Sequence, residues 1–215
     1  MKKPQKAAAP AAEVRELNAV NWAVTNPFAL IMAGLLTMWG GAAVGQVVAP
    51  TLALFVLAVL LALLTVIDIK HGILPHALTG TLVALGVMLA PIFGRGYGEA
   101  LMAGGLAFGG LLLCAGLTRL ATGKEALGGG DLWLVLGLGV WMGAAALPMF
   151  VMMVAVLGAL SVALKRWLTQ GYPVLTEHEA QRFAFGPALC GAGWLAVLYG
   201  DAYWRAIDML MLLAA

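Results

Sequence analysis

The sequence predicts an all-α polytopic membrane protein, a bundle of about seven transmembrane helices. Three observations carry that prediction. Of the 215 residues, 63% are apolar or aromatic and only 10% are charged, whereas soluble domains carry about 25% charged residues. The mean hydropathy is +0.98. The apolar residues also come in blocks long enough to cross a hydrocarbon core about 30 Å thick, which takes roughly 20 residues of helix. The same composition excludes other classes. Two cysteines, both in apolar runs, do not make a disulfide scaffold. The hydrophobicity excludes disorder, and a net charge of +2 gives no footprint for nucleic acid.

Taken in order, the spans fall near residues 28–48, 50–69, 76–93, 98–119, 129–144, 147–166 and 184–200. Residues 1–27 are polar, basic and rich in Ala and Pro, and read as a cytoplasmic tail leading to a short helix. They lack the early, short apolar run of a cleavable signal. Residues 28–200 form one transmembrane domain. Residues 201–215 carry Asp201, Arg205 and Asp208 at helical spacing and read as a short interfacial segment.

Lys and Arg in short loops set orientation. With the N-terminus inside, the cytoplasmic side holds Lys2, Lys3, Lys6, Arg15, Lys70, Arg119, Lys124, Lys165, Arg166 and Arg182, and the outer side only Arg95 and Arg205. That asymmetry fixes the direction of the chain and supports the odd number of spans.

Two acids stand out. Asp68 ends the apolar run LALFVLAVLLALLTVID and Asp131 opens GGGDLWLVLGLGVWMG. An ionisable group at a membrane helix end is costly in lipid and normally faces the bundle interior or a wet cavity. The charge asymmetry places both on the cytoplasmic side, where two carboxylates on different helices can share a proton and activate water. The bland alternative is an interfacial charge at each helix end. Asp68 sits at a helix C-terminus, which disfavours negative charge, and Asp131 at an N-terminus, which favours it. Asp68 is therefore expected to hold the shared proton, with Asp131 the ionised base, although Lys70 opposes this by favouring a charged Asp68.

The surrounding residues sharpen that picture. Asp68-Ile-Lys-His-Gly-Ile-Leu-Pro75-His-Ala-Leu-Thr79, then Gly128-Gly129-Gly130-Asp131, then Phe185-Gly186-Pro187-Ala188-Leu189, occur in one order along the chain. Together they resemble the type IV prepilin peptidases, membrane aspartyl peptidases of the GxGD type. The resemblance covers roughly residues 50–200 and implies a six-helix GxGD core with one N-terminal helix added. It implies Asp68 and Asp131 as the catalytic pair, supported by Pro75, Thr79, Gly128, Gly130, Gly186 and Pro187. Two departures are visible: the family's Ile-Pro-Asn reads Leu74-Pro75-His76, and Trp133 stands where the family usually has lysine.

The resemblance further implies substrates: prepilin-like and pseudopilin-like proteins whose basic leaders are cut at the cytoplasmic face of a bacterial inner membrane. The sequence looks like the short, peptidase-only branch of Flp-type tight-adherence pilus systems, with no methyltransferase domain. Water is the nucleophile in this chemistry, so no metal or organic cofactor is expected. His71, His76 and His178 lack ligand spacing. Glu125, Glu177 and Glu179 are candidates to attract a basic leader, or ordinary loop charges.

Glycines 128–130 suit close approach of an extended peptide, while Gly104, Gly105, Gly109 and Gly110 read as close helix packing. Pro75 stops a helix and Pro187 falls in a first turn, where proline is tolerated. Cys114 and Cys190 read as small hydrophobes within helices. The rival readings are a presenilin-like intramembrane protease and a non-enzymatic transporter or proton relay. The first lacks its Tyr-Asp pair at Ile67-Asp68, and the second lacks polar groups through the bilayer.

Overall fold

The computed structural model describes residues 8–43, 48–123, 128–169 and 185–214. Among them are eight α-helices and no strand: α1 (Ala8–Val24), α2 (Pro27–Ala43), α3 (Val48–His71), α4 (His76–Leu89), α5 (Tyr97–Thr122), α6 (Gly129–Met142), α7 (Leu147–Thr169) and α8 (Gly186–Ala214), with 3₁₀ turns at Ala90–Phe93 and Ala144–Ala146. The protein is an all-α polytopic membrane protein. Four stretches are long and apolar enough to cross a bilayer: Ala49–His71, His76–Phe93, Tyr97–Ala121 and Ala144–Ser161. A fifth arises if the bent pair Val14–Val24 and Pro27–Gly41 counts as one span. Large apolar side chains such as Leu113, Leu120, Val151 and Leu160 point outward, as lipid-facing positions should.

Two elements differ from the sequence expectation. The chain bends by 66° between α1 and α2, because Pro27 cannot continue the first helix and Asn26 Oδ1 accepts the Phe28 N–H at 2.9 Å to start the second. At the other end, α8 runs unbroken through Gly200 and Asp201 to Ala214, where the sequence suggested a span ending near 200. Gly200 marks a close approach rather than a break, since a Cβ there would lie 2.6 Å from that of Ala146.

The core is built on α3, α6 and α8. Leu54, Leu57, Leu61 and Leu64 recur three and four residues apart along α3 and are almost fully buried, and Asp68 continues that stripe. On α6, Leu134, Val135 and Leu138 form the equivalent stripe, and Asp131 begins it. α8 packs against both helices, with Gly193 admitting the Leu138 side chain. Asp68 at the end of α3, Asp131 at the start of α6 and Gly186 at the start of α8 therefore share one end of the bundle. α6 also packs on α4 and α5. Gly104 of α5 bears out close packing, as a Cβ there would meet Leu136 O at 2.9 Å. Gly105, Gly109 and Gly110 do not: nothing lies within 4 Å of a Cβ at any of them, so they lie on the outer side of α5.

α6 has 14 residues, about 21 Å at 1.5 Å per residue, short of a hydrocarbon core about 30 Å thick. Its last carbonyls therefore end inside the bundle and need partners. Arg95, just before α5, supplies them: Nη1 donates to Val140 O at 3.4 Å and Nη2 donates to Trp141 O. Gly143, at φ +77°, leaves room for the guanidinium, which a Cβ there would meet at 2.8 Å. Burial lowers the Arg95 pKa from the usual arginine range, and the carboxylates of Glu99 and Asp201 oppose that. Arg95→Met is expected to strip these charged hydrogen bonds and destabilise the fold by about 2–3 kcal/mol, read as a lower thermal unfolding midpoint in detergent or nanodiscs.

Lys70 and Arg119 lie towards the aspartate end of the bundle. Arg95 and Arg205 lie towards the opposite end, where Trp204 Nε1 also donates to Ala145 O at 2.7 Å. Lys70 and Arg119 thus share one end of the bundle, and Arg95 and Arg205 the other.

Candidate active site

Asp68 is buried, with 7% of its surface exposed. Its Oδ2 accepts the backbone N–H of Gly186 at 3.0 Å. That donor is available because Gly186 opens α8, where the first N–H groups have no partner within the helix. The glycine is required sterically: a Cβ at 186 would stand 2.6 Å from Asp68 Oδ2 and 2.9 Å from Cγ. Pro187 follows in the first turn of α8, where its missing N–H costs nothing.

Asp131 is the third residue of α6, and its Oδ2 accepts the Gly128 N–H at 3.3 Å. Its own N–H donates to Gly128 O at 3.2 Å, so the aspartate closes the start of its helix. Asp68, at the end of α3, and Asp131, at the start of α6, thus share one end of the bundle. Trp133 is half exposed on the outer side of α6.

The turn between α3 and α4 ties the two aspartate-bearing helices together. Gly72, at φ +62°, ends α3 and donates its N–H to Asp68 O at 2.9 Å, a left-handed cap that favours glycine. Leu74 then packs on Gly130: a Cβ at 130 would lie 2.9 Å from the Leu74 Cβ. Gly130 thus admits the close approach of Leu74. A Cβ at Gly129 would have nothing within 4 Å among the described residues, and Gly128 is extended at φ −76°. Pro75 caps α4 in extended geometry. Thr79 is buried, and its hydroxyl donates to Pro75 O at 3.4 Å and His76 O at 3.3 Å. It therefore stiffens the turn and does not reach a carboxylate by hydrogen bond.

Several neighbours were not singled out by the sequence. Cys190, one turn beyond Gly186, and Thr65, one turn before Asp68, are both buried. Their spacing from the motif residues is the signal that locates them. On the outer side of α3, Trp22 of α1 lies against Lys70 and His71. Among the described residues no group of three His, Cys, Asp or Glu side chains is disposed to hold a metal ion. Glu125, Glu177, His178 and Glu179 lie outside the described residues.

Residues 55–163 match the model of the type IV leader peptidase family. A prepilin leader peptidase/N-methyltransferase of Aeromonas hydrophila is 35% identical over 179 residues, covering 80% of this chain and 58% of the relative. Its counterpart in Neisseria gonorrhoeae is 31% identical over 159 residues, covering 74% and 52%. That of Pectobacterium carotovorum subsp. carotovorum is 36% identical over 176 residues, covering 81% and 56%. The chain spans a little over half the length of these relatives. No solved structure matches it. With half of its length matched by the family model, the chain belongs to the type IV leader peptidase family.

Proposed function

We propose that this protein is an aspartyl endopeptidase that removes the basic leader from prepilin-like and pseudopilin-like proteins at the cytoplasmic face of the inner membrane. The observation that carries the reading is the placement of Asp68 and Asp131, on two helices packed against α8, at one end of the bundle in a member of this family. The names of the relatives, prepilin leader peptidases, supply the substrate class.

The chemistry needs one carboxylate ionised and one protonated. The ionised carboxylate takes a proton from water as the water oxygen adds to the scissile carbonyl carbon. The protonated one donates to the carbonyl oxygen, giving a neutral tetrahedral diol. Return of a proton to the leaving nitrogen, with loss of the other from a hydroxyl, breaks the C–N bond and leaves a carboxylic terminus on the leader and an amine on the mature chain. Two coupled acids titrate as a pair. The Gly186 N–H supports this scheme by fixing Asp68, and the Gly128 N–H by fixing Asp131. Supporting residues are Pro75, Thr79 and Gly130, which hold the turn between the helices, and Pro187, which starts α8. The segregation of Lys70 and Arg119 at the aspartate end supports a cytoplasmic site and a cytoplasmic N-terminus.

The test is leader removal from a pilin encoded in the same genome by the purified wild-type protein in lipid. Mass spectrometry should show a free leader and a mature chain beginning at its hydrophobic helix. An intact substrate, with the peptidase folded in the bilayer and each encoded pilin tried, contradicts the reading.

A further inference from the structure

α1 lies outside residues 55–163 that match the family, yet it reaches the aspartate end of the bundle. Ala19 and Ala23 are buried against Ile67, the residue before Asp68, and the same cluster takes in Ile73 of the α3–α4 turn and Leu78 of α4. The helix is thus seated across the turn whose Leu74 presses on Gly130. Apolar contact alone is small here, because two alanines offer little area. The grip comes from Trp22. Lys70 Nζ lies 3.6 Å from the centre of its ring, and the His71 ring meets it edge-on at 5.5 Å between centroids and 76° between planes. Cation–π and edge-to-face contacts of this kind are directional as well as attractive, so they fix where α1 sits.

The two residues gripped are the last two of α3. Lys70 and His71 lie three and four residues after Ile67, so the three share the face of α3 that α1 covers, while Lys70, two residues after Asp68, stands on the side away from the Asp68–Gly186 hydrogen bond. What Trp22 holds is therefore the last turn of the helix that carries Asp68, together with the chain that leaves it.

We propose that Trp22 is a positioning residue for the aspartate pair: by gripping Lys70 and His71 it locks α1 across the end of α3, which keeps the Gly72–Pro75 turn pressed on Gly130 and so holds Asp68 and Asp131 in register. The catalytic part of this inference rests on the peptidase reading. The mechanical part does not. Trp22 touches neither carboxylate and acts through the backbone that joins them.

The experiment uses the full chain in nanodiscs and reads two quantities. The first is hydrogen exchange at the amides of Gly72, Leu78 and Thr79, which bond to Asp68 O at 2.9 Å and to Pro75 O at 3.1 Å and 3.1 Å. In Trp22→Ala their exchange is expected to quicken about tenfold or more as the turn opens locally, while the amides of Leu134–Leu138 in the core of α6 keep wild-type rates. Trp22→Phe keeps a ring under the lysine and is expected to restore protection. The second quantity is the split between kcat and KM for leader cleavage. Trp22→Ala should lower kcat about tenfold with KM changed less than about twofold. Lys70→Ala should fall between, Lys70→Arg should retain the stack, and Trp22→Ala/Lys70→Ala should be no worse than Trp22→Ala alone.

Wild-type exchange rates at the three amides in Trp22→Ala overturn the proposal. So does a loss that Trp22→Phe fails to recover, or an additive double variant. Uniformly faster exchange across the bundle shows a general loss of stability and overturns it as well. If the wild-type protein removes no leader, the peptidase reading fails by itself, and the exchange rates alone decide whether Trp22 governs the turn.

Discussion

Asp131→Asn and Asp68→Asn are each expected to give folded, membrane-inserted protein whose leader cleavage falls by at least about 10³-fold. The amide is nearly isosteric and still offers an oxygen to Gly128 or Gly186 N–H, so the fold should tolerate the change. What is lost is the ability to pass a proton. In the proposed scheme neither carboxylate can replace the other, because one must accept a proton from water while the other donates to the carbonyl oxygen. Thermal unfolding within a few degrees of wild type, alongside the lost cleavage, separates a chemical effect from a structural one.

Gly186→Ala is the second large effect. The added methyl would sit 2.6 Å from Asp68 Oδ2 and 3.2 Å from its Cβ, and both atoms belong to a short side chain fixed on a packed helix. The carboxylate must move by about 1 Å and lose its backbone hydrogen bond, a displacement worth about 10²-fold in rate where reacting groups must be aligned. Gly105→Ala is the control, since nothing lies within 4 Å of a Cβ there and alanine favours the helix. Cleavage by Gly105→Ala should match wild type. Equal losses in the two variants would show that the effect at 186 has nothing to do with Asp68.

The contrast between these glycines shows how far the sequence reaches. Asp68 and Asp131 were visible because each is a charge at the edge of an apolar block, and each also continues a helical stripe of buried leucines, Leu57–Leu61–Leu64 before Asp68 and Leu134–Leu138 after Asp131. The Gly-Pro at the start of α8 was visible as a motif. Its job of donating a hydrogen bond to an aspartate 118 positions earlier in the chain was not, because no periodicity encodes a contact across that separation. With 28 glycines in the chain, composition could not rank them. Gly104 and Gly130 turn out to be sites of close approach, while Gly105, Gly109 and Gly110, equally apolar in context, face outward.

The N-terminal segment was the least legible part. Its polarity reads only as that of a tail, and nothing in AAPAAEVRELNAVNWAV says that its tryptophan meets Lys70. The bend at Asn26-Pro27 carried a local signal in its capping residue and proline. The continuation of α8 beyond Gly200 was masked by Asp201, Arg205 and Asp208, whose charges look interfacial but do not interrupt a helix. Cys190 lies inside an apolar helix as its context suggests, and its burial one turn from Gly186 emerges only once α3 and α8 are packed together.

The most direct test of the central claim, that Asp68 and Asp131 act as one unit, is a double-mutant cycle on leader cleavage. Wild type, Asp68→Asn, Asp131→Asn and the double variant would be reconstituted at equal density, and single-turnover rates measured on one pilin. Groups that act together are strongly non-additive, so the account predicts that all three variants fall to the same background rate. A single variant that still cuts above that background, or a double variant whose loss equals the product of the two single losses, would contradict it.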